Sequence, residues 1–107
     1  MTTITAGQLA AMHNSDIPNP AGATRVDDWM LWDDISWMRA FDVQTFRDGR
    51  AIVYLGGTQD SDGTAAYTIE VERSGDLTAV DARALAALLT TAAARVDQLT
   101  GEAPPFQ

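Results

Sequence analysis

Residues 76–101 read DLTAVDARALAALLTTAAARVDQLTG, which is the pattern of an amphipathic helix with a defined start and end. Thr78 and Asp81 have the spacing of a capping box, in which two side chains bind free backbone amides of the first turn. Gly101 stands where a helix can close in a left-handed residue. Apolar residues recur every three or four positions along one stripe, formed by Leu85, Leu88, Leu89, Ala92, Val96 and Leu99. This stripe requires an apolar surface to pack on.

The residues before this helix alternate with period two, which predicts β-strands. The predicted strands are residues 24–31, 36–46, 50–58 and 65–73. Asp48-Gly49 and Asp62-Gly63 are typical of tight hairpin turns, because both dipeptides tolerate positive backbone angles. Consecutive hairpins predict an antiparallel meander.

Strand alternation gives this sheet one strongly apolar face. That first face collects Trp37, Phe41, Val43, Val53, Leu55, Tyr67, Ile69 and Val71. The helix stripe matches it in character. The predicted fold is therefore α+β, an antiparallel β-meander of three to four strands packed on one face by a C-terminal α-helix.

The 107 residues suffice for one domain. Residues 1–23 are predicted to be an N-terminal arm or short helix (6–13) with a linker, residues 24–101 a single α+β domain, and residues 102–107 a frayed tail. Gly56-Gly57 interrupts the third predicted strand, and this favours a β-bulge at that point.

Composition narrows the functional classes. Fifteen acidic residues against seven basic ones give a formal net charge of −8, which opposes binding to nucleic acid or to an anionic membrane. The sequence has no cysteine, no long apolar segment and no signal-like N-terminus. We therefore expect a cytoplasmic protein that binds neither nucleic acid nor membrane.

No motif predicts catalysis. The acid pairs Asp27-Asp28 and Asp33-Asp34 lack the alternating ligands of a calcium loop, and they are interpreted as solvated strand ends. Gly56-Gly57-Thr58 lacks the lysine of a phosphate-binding loop, and His13 is the only histidine. We expect no catalytic residue, cofactor or metal site.

The second face of the predicted sheet is the candidate interaction surface. It carries Met38, Phe46, Ile52 and Tyr54, with Trp29 and Trp32 nearby in the first strand. Two alternatives follow from so apolar a face. Either the segment 29–32 or the N-terminal arm folds over it, or it binds a protein partner or a second copy as a homodimer.

Several short segments carry a family resemblance. They are Arg25-Val26-Asp27-Asp28-Trp29, Gly57-Thr58-Gln59 followed by Asp62-Gly63, and Leu77-Thr78 with the alanine-rich helix after it. With these segments the chain resembles small uncharacterised proteins of mycobacteria, related actinobacteria and their phages. The resemblance implies a cytoplasmic bacterial or phage protein, and a phage origin favours a host-interaction role. It implies no activity and no catalytic residue.

The resulting hypothesis is a non-enzymatic protein-binding or regulatory module. One alternative is an acidic inhibitor or immunity-type partner of a basic protein. Another is an enzyme that uses Asp33, Asp34 and Asp42 as general acid or base.

Overall fold

The computed structural model describes residues 16–32, 36–72 and 75–101. The elements are β1 (Arg25–Val26), β2 (Met30–Trp32), β3 (Ser36–Asp48), β4 (Ala51–Asp60), β5 (Ala65–Val71) and α1 (Ala79–Thr100). The strands form one antiparallel sheet in the order β1-β3-β4-β5, and β2 pairs with the other end of β3. The helix packs on one side of this sheet, so the predicted α+β fold is confirmed.

The first predicted strand is divided in two. β1 pairs with Phe41 and Asp42, β2 pairs with residues 36–38, and the amide of Asp27 between them donates to the carbonyl of Ala40 at 2.9 Å. The interruption accommodates Trp29, whose side chain is only 6% exposed. The edge strand leaves regular pairing where this large ring turns inward.

The predicted caps and turns are confirmed. Thr78 and Asp81 form the reciprocal capping box, and Gly101 closes the helix with a φ of 74°. Gly49 and Gly63 have φ values of 59° and 93° in the two hairpin turns, a region that side chains disfavour. In the second turn the amide of Thr64 donates to the Asp62 carboxylate at 2.8 Å, and this bond lowers the pKa of Asp62.

We call the helix side of the sheet the helix-covered face. Its buried side chains are Phe41, Val43, Val53 and Leu55, and Val96 and Leu99 of α1 pack against this group. The ring of Tyr67 meets the ring of Phe41 edge to face, with centroids 5.3 Å apart. Ala92 is the fully buried residue of the helix stripe, and the leucines of the stripe are half-buried.

A β-bulge on β3 changes the face assignment of one predicted site residue. The pairing register shifts between Asp42 and Gln44, so an extra residue lies opposite β4. Beyond this bulge Phe46 is paired with Val53 and packs against the helix-covered core. The prediction that Phe46 belongs to the second face is therefore wrong, because one inserted residue reverses the alternation.

The predicted bulge at Gly56-Gly57 is also wrong. Both glycines belong to β4 and pair with one residue of β3 on one side and one residue of β5 on the other. Gly57 instead permits a close approach. A Cβ atom there would collide with the carbonyl oxygen of Ala66 and lie 2.8 Å from Cζ of Phe41. The absent side chain leaves room for the Phe41 ring over β4.

Residues 16–23 form a strap that lies across the helix-covered face. Pro20 is buried, and Gly22, with a φ of 79°, lies so close to Leu99 that a Cβ atom would be 2.6 Å from its Cδ2. The Tyr67 hydroxyl donates to the carbonyl of Ala21 at 2.6 Å. The strap therefore closes the core beside the C-terminal end of α1. The predicted short helix and the predicted tail lie outside the described residues.

Arg39 and Gln59 hold this strap from beneath. Nε of Arg39 donates to Oε1 of Gln59 at 2.7 Å, and its Nη2 donates to the carbonyls of Ile17 and Pro18 at 3.4 and 3.2 Å. Nε2 of Gln59 donates to the carbonyls of Pro18 and Gly63 at 3.0 and 3.2 Å. These bonds join the strap to the two central strands.

We expect the stability of the fold to decrease at alkaline pH because of Tyr67. Burial raises the pKa of Tyr67 above its ordinary value of 10, and the nearby charge of Arg95 partly opposes this effect. The unfolded chain therefore loses this proton at a lower pH than the folded chain. The stabilisation is fully present below about pH 10 and is lost as pH rises through the folded pKa.

The measurement is urea unfolding between pH 8 and pH 11. Tyr67→Phe should flatten the fall in the unfolding midpoint, whereas Tyr54→Phe, on the opposite face, should leave it as in the parent. An unchanged slope in Tyr67→Phe would contradict this account.

Candidate functional site

The side of the sheet away from the helix is the candidate functional site, and we call it the open face. Residues paired across antiparallel strands share a face, so the register defines its members. They are Arg25, Met30, Met38, Ala40, Asp42, Thr45, Arg47, Ile52, Tyr54, Gly56, Thr58, Asp60, Ala66, Thr68 and Glu70. Within residues 16–32, 36–72 and 75–101, the helix and the strap both lie on the other side.

A shallow groove of about 240 Å³ crosses the middle of the open face. Its floor contains Ala40 and Gly56, which have little or no side chain, and Tyr54 forms part of its wall. Thr58 and Thr68 also line it. Pockets for small-molecule ligands usually measure about 300–1,000 Å³, so this groove is closer to the size of one or two amino-acid side chains.

Carboxylates give the groove a negative charge. Asp42 and Glu70 both line it, and Asp60 lies farther along the same face beside Met38. Two arginines share the face. Arg25 lies opposite Asp42 on the neighbouring strand and is ion-paired with Asp27 at 3.5 Å, and Arg47 lies beyond Tyr54 beside Ile52. The groove itself is therefore lined by acids and by neutral side chains.

Three of the six predicted surface residues lie on the open face. Met38, Ile52 and Tyr54 are there and are half-buried. Phe46 lies on the helix-covered face, and Trp29 is buried. The sixth residue, Trp32, is paired with Ser36, and its side chain lies outside the described part of the structure.

The buried position of Trp29 depends on an arginine that sequence reasoning missed. The guanidinium of Arg39 lies 4.5 Å from the ring centroid of Trp29, within cation–π distance. Burial lowers the pKa of Arg39. The sequence signal was available, because Arg39 occupies the same strand phase as Trp37 and Phe41. Neither Trp29 nor the strap covers the open face.

Three further residues of the open face were not predicted as part of the site. Met30, Thr68 and Glu70 follow from the cross-strand register, and Met30 is 61% exposed beside Met38, whereas Asp42 was predicted only in the enzyme hypothesis. The positions of large apolar residues do not predict the groove, because its depth comes from Ala40 and Gly56.

Of the three acids in the enzyme hypothesis, Asp42 alone lies within the described residues. Asp42 lies in the groove, whereas Asp33 and Asp34 fall outside the described ranges. Among the described residues, no group of three or more histidine, aspartate or glutamate side chains could hold a metal ion.

No protein-family model, curated protein or solved structure matches this chain. Within the described ranges, no helix combines the length and apolar character needed to cross a bilayer.

Proposed function

We propose that this chain is a non-enzymatic protein-binding module whose open face takes a basic segment of a partner protein. The observation that carries the proposal is the acidic groove in a sheet face that no described element covers. Its apolar rim and its charge favour the same kind of partner.

The apolar contribution comes from flexible and aromatic side chains. Met30 is largely exposed, and Met38 is half-buried beside it. Methionine adapts its shape to a partner, and tyrosine offers a large contact area with a polar end. Together with Tyr54 these residues provide apolar contact on both sides of the groove.

The charge contribution comes from Asp42 and Glu70. A lysine or arginine side chain of the partner, placed in the groove, would meet both carboxylates and the Tyr54 ring. The net charge of −8 would also attract a basic protein over longer distances. The partner that fits best therefore presents a cationic side chain from an exposed segment.

The resemblance to actinobacterial and phage proteins extends this proposal. It favours a cytoplasmic partner and, for a phage-encoded chain, a partner from the host. Binding would then regulate the partner, because the described residues of the open face offer contacts to another protein.

The test uses a fluorescein-labelled peptide of alternating arginine and valine residues as the probe. We expect binding, read by fluorescence anisotropy, to weaken at least about tenfold in Glu70→Lys, equivalent to about 1.4 kcal/mol. A concentration of about 1 mM peptide detects binding stronger than about 4 kcal/mol. Absence of binding to the parent chain at this concentration would contradict the proposal.

A charge-matched control separates the groove from the overall field. Asp76→Lys is an exposed acid near the start of α1, and it changes the net charge from −8 to −6, as Glu70→Lys does. We expect less than a twofold effect from this control. Equal losses in the two variants would instead support the acidic-inhibitor alternative, in which net charge and not the groove attracts the partner.

A further inference from the structure

The outer edge of β5 presents a regular set of backbone groups. The amide of Glu72 donates to the carbonyl of Ile52 at 3.0 Å, and that of Asp60 donates to the carbonyl of Thr64 at 2.9 Å. This phase directs the even-numbered residues of β5 toward β4. The amides and carbonyls of Ala65, Tyr67, Ile69 and Val71 therefore point away from the sheet, and no strand in the described ranges pairs with them.

Apart from the charge of Glu70, this edge lacks the usual protection against pairing. Edge strands are commonly blocked by proline, by lysine, by a bulge or by short length. β5 runs for seven residues, Ala65–Val71, with no proline, no lysine and no register shift. On the helix side Ile69 and Val71 are 36% and 41% exposed, so this edge also presents apolar side chains that a partner could cover.

We propose that β5 pairs antiparallel with β5 of a second copy of this chain, about a two-fold axis at Thr68. Only this centre aligns all seven residues. Ala65 then lies opposite Val71, Ala66 opposite Glu70, Tyr67 opposite Ile69, and Thr68 opposite itself. The four outward-pointing residues of each copy exchange about eight backbone hydrogen bonds.

The side chains of the edge are self-complementary in this register. Each Glu70 faces Ala66 of the other copy, and the two Glu70 residues lie about 14 Å apart along the strands, from four steps of about 3.4 Å. That separation exceeds the Debye length of about 10 Å at 0.1 M salt. A centre at Glu70 would instead place the two carboxylates opposite each other. Charge therefore selects the Thr68 centre.

The same edge gives little to the basic partner proposed above. Glu70 is the only charged residue of β5, and its side chain belongs to the open face. Across the axis Ile69 gains apolar contact with Tyr67 of the other copy, and Val71 gains it with Ala65. A second copy is thus the occupant that the edge fits, and the dimer would join two sheets into one without covering either groove.

Single cysteines test the register, since the native sequence has none. In Thr68→Cys the two thiols would lie across a non-hydrogen-bonded pair, where Cα atoms are about 4.5 Å apart, within the range of a disulfide. In Ala66→Cys the two thiols would be about 14 Å apart. Under mild oxidation we expect Thr68→Cys to become mostly disulfide-linked dimer and Ala66→Cys to stay uncrosslinked.

The second measurement is sedimentation equilibrium of the unmodified chain at about 100 μM. Dimers with an interface of modest area are populated at this concentration. We expect twice the chain mass of 11.5 kDa. Ile69→Pro removes an outward-pointing amide and leaves the β4 ladder intact, so it should remain folded and become monomeric. Should Ile69→Pro fail to fold, the two cysteine variants still decide the register.

A monomeric parent chain would overturn the dimer. A dimer that persists in folded Ile69→Pro, or that crosslinks equally through Ala66→Cys, would show a different interface and overturn the edge pairing. Neither result bears on peptide binding by the groove, which has its own readout.

Discussion

Phe41→Ala is expected to lower the free energy of unfolding by about 3–5 kcal/mol. Phe41 is 3% exposed, lies over Gly57, and contacts the ring of Tyr67 edge to face. The substitution removes the ring from the centre of the core cluster and leaves a cavity there. Gly57 lies beneath the ring and has no side chain that could move into this cavity. Urea unfolding followed by circular dichroism measures the loss.

Phe46→Ala is the matched control for Phe41→Ala. The chemistry is the same and the strand is the same, but Phe46 is only half-buried. We expect a loss of about 1–2 kcal/mol, in proportion to the smaller buried area. A loss below about 1 kcal/mol in Phe41→Ala would contradict the packing of the helix and the strap around this ring.

Arg39→Leu is expected to destabilise the fold by about 3 kcal/mol. Arg39 is 9% exposed, and its guanidinium bonds Gln59 and two strap carbonyls while lying over Trp29. The leucine leaves buried polar atoms without their donor, at about 1–3 kcal/mol for each group that water cannot reach. The strap should loosen first, which the same unfolding experiment together with proteolysis near residue 17 would detect.

Two further variants isolate this effect. Arg47→Leu lies on the same strand but is exposed, and it should change stability by less than about 0.5 kcal/mol. The double variant Arg39→Leu with Gln59→Leu should lose less stability than the sum of the single changes, because each single change leaves the other side chain without its hydrogen-bond partner. Additive losses would mean that the two side chains act independently.

Local sequence signals were sufficient for the helix and the turns. The Thr78 and Asp81 cap, the closure at Gly101 and the turns at Gly49 and Gly63 each depend on residues within a few positions of one another. Their geometry is decided by backbone angles and by short side-chain bonds. Such elements can be predicted before the tertiary fold is known.

The bulge and the strap could not be predicted in this way. No residue type marks the register shift after Asp42, yet it moves Phe46 to the other face. The strap depends on bonds from Pro18 to Arg39 and Gln59, which are 21 and 41 residues away in sequence. Both features are set by packing between distant segments.

The candidate site was predicted in part. Alternation in β3 and β4 correctly placed Met38, Ile52 and Tyr54 on the second face. The groove escaped prediction, because it arises where side chains are small or missing and where acids from two non-neighbouring strands converge. Both depend on a register that the sequence does not display.

The strap also constrains the order in which segments of the domain can fold during synthesis. Its residues leave the ribosome before every group that holds them: Arg39 on β3, Gln59 on β4, Tyr67 on β5 and Leu99 near the end of α1. Domains assemble as their segments emerge, and a segment whose contacts lie far downstream must wait for them. Pro18 therefore stays without its long-range bonds until Gln59 has been translated, and Gly22 stays without its contact until Leu99 has been translated, so full docking of the strap completes the fold.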